Sequence, residues 1–149
     1  MRVPRPWPLS SAILLTLSGI FMTSCAPKPS GGKAAEWEAP TEADEIRNPV
    51  AVNEKSIAAG KVIYQQNCLA CHGEIGKGNG PAANALVRPP SNLSAPAMRD
   101  DKDGALFWKI TEGHRPMPTF NHLLTVDERW QVVDYIRTLT APKGGSAAN

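Results

Sequence analysis

Cys68-Leu69-Ala70-Cys71-His72 is a C-x-x-C-H run, and it constrains this chain more than any other stretch. Two thiols one helical turn apart, followed at once by an imidazole, have the spacing of a c-type haem attachment site. The chemistry requires that spacing. The thiols add to the two vinyl groups along one porphyrin edge, and the imidazole then lies under the iron as proximal ligand. Competing uses of these residues are weaker. A structural zinc site needs four ligands; beyond this run only His114 and His122 remain, eight residues apart rather than a close pair. A thioredoxin-type pair wants a βαβ context, and no strand-like alternation stands out. A plain disulfide would leave His72 without a role.

The rest of the chain reads as helices separated by loops. Ile57, Gly60, Tyr64 and Cys68 recur at helical spacing, with Asn53 or Ser56 as N-cap. A second helix is expected over 104–112, preceded by Asp103 and closed by Gly113. A third starts at Thr125, where Glu128 completes a capping box; Val132, Tyr135, Ile136 and Leu139 mark its apolar face and Pro142 stops it. Gly- and Pro-rich loops fill 73–96 and 113–121. Residues 53–141 thus form a domain of about 89 residues whose helices alone bury a thin core. The haem is expected to fill the middle, with the loops wrapped around it.

The segments before that domain are of another kind. Arg2 and Arg5 precede a mostly apolar run of 14 residues, Leu9 to Met22. A spanning helix needs about 20 apolar residues, so residues 1–24 are expected to be a secretory signal peptide cleaved before Cys25. Residues 25–52, rich in Pro, Ala, Gly, Lys and Glu, read as a flexible linker of about 30 Å root-mean-square span. Trp37 is its one aromatic residue, an exposed side chain or a docking contact. Residues 142–149 read as a disordered tail. After Cys25 the chain carries fourteen acidic and fourteen basic residues. A neutral chain without a basic cluster gives no support to nucleic-acid binding.

The second axial position falls in the loop Gly113-His114-Arg115-Pro116-Met117-Pro118-Thr119-Phe120. Two prolines stiffen the backbone on either side of Met117. Its neutral thioether favours ferrous iron and raises the potential, so Met117 is the expected ligand; His114, His122 and Met98 are its rivals.

In order along the chain stand Gly60-Lys61-Val62-Ile63-Tyr64, Cys68-Leu69-Ala70-Cys71-His72-Gly73, Gly76-Lys77-Gly78-Asn79-Gly80-Pro81, Pro89-Pro90-Ser91-Asn92-Leu93, Pro116-Met117-Pro118 and Asp134-Tyr135-Ile136-Arg137-Thr138-Leu139. This ordered set, over residues 53–141, resembles a class I monohaem cytochrome c domain. The resemblance implies an all-α fold of three or more short helices and long loops around one covalent haem c. It implies that the first and last helices cross, bringing Gly60 and Tyr64 onto Tyr135, Ile136 and Leu139. It also implies a proline carbonyl, of Pro81, Pro89 or Pro90, bonded to the far nitrogen of His72. Trp108 and Arg88 are open to haem-propionate, surface or packing roles.

Met22-Thr23-Ser24-Cys25 resembles the lipobox of bacterial lipoproteins, which implies acylation of Cys25; Ser24-Cys25-Ala26 also satisfies ordinary signal cleavage. The expectation is an exported, lipid-anchored electron carrier at the periplasmic face of a bacterial membrane. Its partners would be redox proteins of a respiratory chain, with no small-molecule substrate and no enzymatic activity. A fixed monohaem subunit of a larger respiratory complex is the alternative within that class. A ligand-binding haem sensor or peroxidase-like enzyme is the alternative outside it, and requires that Met117 not coordinate.

Overall fold

Asn53 starts the first α-helix among the described residues. A computed structural model describes residues 37–140; the expected signal peptide, Cys25, the start of the linker and the expected tail lie outside the described residues. The Asn53 side chain accepts from the Ser56 amide at 3.0 Å and the Ser56 hydroxyl accepts from the Asn53 amide at 3.2 Å, a reciprocal cap for α1, Glu54–Asn67. One turn, α2 (Leu69–His72), follows directly, and Gly73 closes it at φ 79°. Helix α3 spans Asp103–Glu112, one residue longer than expected at its start, and ends at Gly113 with φ 66°. Helix α4 spans Val126–Thr140 behind the expected capping box: the Thr125 amide donates to Glu128 Oε2 at 2.8 Å and the Glu128 amide to Thr125 Oγ1 at 3.2 Å. The two bonds from Thr125, the amide's first, hold the Glu128 carboxyl below the usual carboxylate range. Short 3-10 turns occupy Thr41–Glu45, Ala83–Ala85 and Pro96–Arg99, and the described residues contain no strand. The all-α class holds.

Packing centres on α4. Its residues Trp130, Val132 and Val133 are wholly buried, together with Tyr64 of α1, each contributing about 2 kcal/mol. Phe107 of α3 stacks on Trp130 with ring centroids 4.3 Å apart, and Tyr64 meets Tyr135 at 5.2 Å. The α1–α4 crossing is set by Gly60. A Cβ added there would lie 1.8 Å from the Gln131 carbonyl oxygen and 3.1 Å from Tyr135 Cβ. The crossing expected from the resemblance is present, with the Gln131 backbone as the main contact.

The segment from Trp37 onward departs from the linker reading. Ala43 is buried, and its carbonyl lies where a Cβ on Gly104 of α3 would fall, at 2.0 Å. Asn48 donates to Asp134 Oδ1 of α4 at 2.8 Å. Burial raises the Asp134 carboxyl above its ordinary value, against the bonds from Ser56 and Asn48. Residues 37–50 are therefore a strap laid along α3 and α4. Small residues allow that close approach, and the same composition resembles a solvated linker in sequence.

Gly60→Ala forces the crossing apart and is expected to cost about 3 kcal/mol of unfolding free energy. Ala58→Gly, at an exposed site of the same helix, is expected to cost about 1 kcal/mol or less. Denaturant unfolding of both variants checks the contrast; equal losses would remove the crossing as the cause.

Candidate functional site

The Cys68–His72 turn is built by the end of α1. The Cys68 amide still donates to Tyr64 at 2.8 Å, while the Cys71 and His72 amides both return to the Cys68 carbonyl, at 3.1 and 2.8 Å. Both cysteines are free thiols and half-buried. Burial pushes the Cys68 thiol up to about 12, with Cys71 beside it adding to the shift.

His72 is oriented by its far nitrogen. Nδ1 lies 3.1 Å from the Ser91 carbonyl oxygen. A carbonyl can only accept, so Nδ1 carries the hydrogen and Nε2 presents its lone pair, the tautomer a metal-binding imidazole needs. The expected proline carbonyl is replaced here by that of Ser91, the residue after Pro90. Burial lowers the His72 pKa, the Ser91 bond opposing it.

The loop after His72 laces itself onto the haem-motif turn. Amides of Gly78, Gly80 and Ala82 donate to carbonyls of His72, Cys71 and Ala70 at 2.8, 3.0 and 2.8 Å. These carbonyls at the end of α2 have no intrahelical partner, so the loop satisfies them. Gly78 allows the approach: its φ is 74°, and a Cβ would lie 2.3 Å from the Pro90 carbonyl oxygen. Tyr64, kept neutral by burial, donates its hydroxyl to the Gly73 carbonyl at 2.7 Å from below.

Met117 stands in a tight turn. The His114 amide donates to the Met117 carbonyl at 3.0 Å and the Met117 amide to the His114 carbonyl at 2.9 Å, with a cis peptide bond before Pro116. The Phe120 amide ties the loop back to Ile110 of α3 at 3.2 Å. Arg129 fastens it from α4: this buried guanidinium donates through Nη1 to the carbonyls of Asn121 and Leu124 at 3.0 and 3.2 Å. Met117 borders a cavity of about 1000 Å³ whose other walls include Val87, Arg88, Pro116 and Pro118. The Cys68–His72 turn is not among those walls, but Cys68, Leu69 and Met117 all pack against one core cluster. Of the rival ligands, Met98 lies in the 96–99 turn and is not a wall of that cavity. His114 does border it, but its Nδ1 is 2.7 Å from Arg88 Nη1 and its ring lies 5.1 Å from that of Trp37. His122 is exposed. Arg88 is thus engaged with His114, and Trp108 with Trp37 at 6.0 Å.

Comparison with known proteins fixes the family. Residues 55–136 match the family model described as cytochrome c oxidase, cbb3-type, subunit III, a class I cytochrome c domain. The chain belongs to this family. Covalently bound haem c is the cofactor of such a cytochrome, and electron transfer its work. Among solved structures the chain is similar to one from the Kuenenia stuttgartiensis reducing HAO-like protein complex, with 29% identity and a TM-score of 0.52. That match covers 62% of this chain and 47% of the other, so the chain spans about half the length of that relative. No curated protein matches.

The residues present fit the cofactor: two free thiols one turn apart, an imidazole with Nε2 unprotonated, and a thioether at the edge of a cavity. No cluster of three or more His, Cys, Asp or Glu side chains able to hold a metal ion occurs among the described residues. Sequence reasoning missed Ser91, because any residue can supply a carbonyl. It also missed Arg129, although the signal lies in the periodicity: Arg129 stands three and four residues before Val132 and Val133, on the buried stripe.

Wild-type protein made with a haem-attachment system should run on a denaturing gel as a band that stains for haem and survives acid-acetone extraction. Cys68→Ala with Cys71→Ala should abolish the stain. A stained band in the double variant would place attachment elsewhere.

Proposed function

We propose that this cytochrome c is exported, anchored through a lipid on Cys25, and passes single electrons between redox proteins of a respiratory chain at the periplasmic face of a bacterial membrane. In this reading Cys68 and Cys71 hold one haem through thioether bonds, and His72 and Met117 are its axial ligands. Bound haem c supplies a one-electron ferric–ferrous couple.

The chain's own residues set how that couple behaves. Ser91 fixes the His72 ring and, by accepting from Nδ1, makes Nε2 a stronger donor. Met117 offers a neutral sulfur that favours the lower charge state. With both axial positions filled by protein, no position is left for substrate, and the arrangement suits carriage rather than turnover. The observation that carries this reading is the placement of Met117, held by two mutual backbone bonds to His114 at the border of the cavity.

A second reading has support of its own. The family description names an oxidase subunit and the structural relative belongs to a protein complex. On that analogy this chain would serve as a fixed subunit, and co-purification of redox partners in mild detergent separates it from a mobile carrier. No described helix is long and apolar enough to cross a membrane; the lipid on Cys25 is the anchor this reading uses.

Met117→Ala is expected to open the sixth position: the reduced protein should go from no detectable carbon monoxide binding to full saturation, and the weak sulfur-to-iron charge-transfer band of the ferric protein should vanish. Met117→His should stay closed to carbon monoxide but lower the potential. Met98→Leu should behave as wild type. Loss of the band in Met98→Leu, or its persistence in Met117→Ala, would transfer the ligand role.

Cys25→Ala should move the haem-loaded protein from the detergent to the aqueous phase. Mass spectrometry of wild type should find an acylated Cys25 at the mature N-terminus; an unlipidated N-terminus at Pro27 would leave a soluble carrier.

A further inference from the structure

Trp37 lies in the strap, seventeen residues before α1 begins. Its ring is half-buried between two others, 5.1 Å from His114 and 6.0 Å from Trp108. His114 is no ordinary loop residue: its amide and carbonyl are the two backbone groups that close the turn on Met117. Its ring nitrogen Nδ1 lies 2.7 Å from Arg88 Nη1. The imidazole of His114 is therefore in contact with both an arginine and an indole, and Met117 is bonded to its backbone.

The strap that delivers Trp37 is pinned further along. Ala43 rests on Gly104 with no room for a Cβ between them, and Asn48 bonds Asp134. It thus runs from α4, across α3, to the loop that bears Met117. The loop's other ties to α3 are the Phe120 amide and the Thr119 hydroxyl, which donate to Ile110 and Thr111. Both lie on the C-terminal side of Met117. On the N-terminal side, beyond Gly113 and the end of α3, the aromatic contact with Trp37 and the Arg88 bond are what hold His114.

We infer that Trp37 is a positioning residue for the axial methionine: the strap presses an indole onto His114 and so keeps the Met117 turn closed over the iron. The inference rests on Met117 being the axial ligand. Removing the ring should let the turn open more often, without removing any group that touches the cofactor. Aromatic pairs of this kind are worth little individually, so the expected effect is a change in opening frequency of about three- to tenfold rather than loss of the ligand.

The test uses full-length, haem-loaded protein and imidazole as a probe that enters only when the sulfur leaves. In wild type the ferric charge-transfer band should be present and imidazole binding slow; absence of that band would defeat the Met117 assignment itself. Given the band, Trp37→Ala should bind imidazole about three- to tenfold faster, and Trp37→Phe should restore most of the difference. Gly104→Ala supplies a second, distant probe. It improves α3 locally but pushes a methyl into the Ala43 carbonyl, and by lifting the strap it should speed imidazole entry in the same sense. Wild-type imidazole rates in Trp37→Ala, whatever happens to its thermal midpoint, would overturn the inference. So would a Trp37→Phe protein as fast as Trp37→Ala.

Discussion

The burial of α4 is the interaction on which the rest of this structure depends. Its apolar stripe supplies most of the wholly buried side chains, and its polar groups reach out from the same core to three segments of irregular chain. Arg129 holds the carbonyls of the loop that follows Met117. Asp134 holds Asn48 of the strap. Arg137 donates to Asp103 and to the Met98 carbonyl at 2.6 and 2.7 Å, tying the 96–99 turn and the start of α3. A helix that buried only apolar groups would stabilise a core. This one also fixes three segments of irregular chain whose backbones have few partners of their own, which is how about a hundred residues with four helices hold their loops in one arrangement.

The parts legible in the sequence are those whose signal is local. C-x-x-C-H states its chemistry in five residues. The Thr125–Glu128 box announces a helix start because cap and acid must stand three apart to exchange their bonds. Gly113 marks a helix end because the chain turns there into positive φ. The strap was hidden for the opposite reason. Pro, Ala and Gly are what a linker uses to stay solvated, and also what a segment uses to lie flat on a glycine of a neighbouring helix; only Gly104, sixty residues from Ala43, distinguishes the two. Ser91 was hidden because the bond to His72 comes from the backbone and leaves no mark in the side chain. The prolines beside it drew attention to the right stretch but not to the right residue. Arg129 was passed over because of its residue type: an arginine on a helix counts as surface until its carbonyl partners are known.

Loops of this length need an explanation, and their hydrogen bonds provide one. The 73–96 segment does not wander; its amides satisfy the carbonyl end of α2 one after another, and its far limb returns a carbonyl to His72. The haem-motif turn and the loop that encloses it are thus one hydrogen-bonded unit, in which a change to Gly78 would be felt at the imidazole.

The Gly60 contact has a further consequence. α1 ends in the turn that bears Cys68, Cys71 and His72, and near its middle it rests on α4, backbone against backbone, with no side chain between. A carrier changes its charge by one unit in each cycle, and every atom that shifts in response adds to the barrier for the next transfer. Side chains interposed between helices can change rotamer to follow the charge; a peptide unit lodged against another has nowhere to go. The absent methyl therefore stiffens the frame that carries the haem motif as well as stabilising it, because it leaves no side chain between the two helices that could change rotamer.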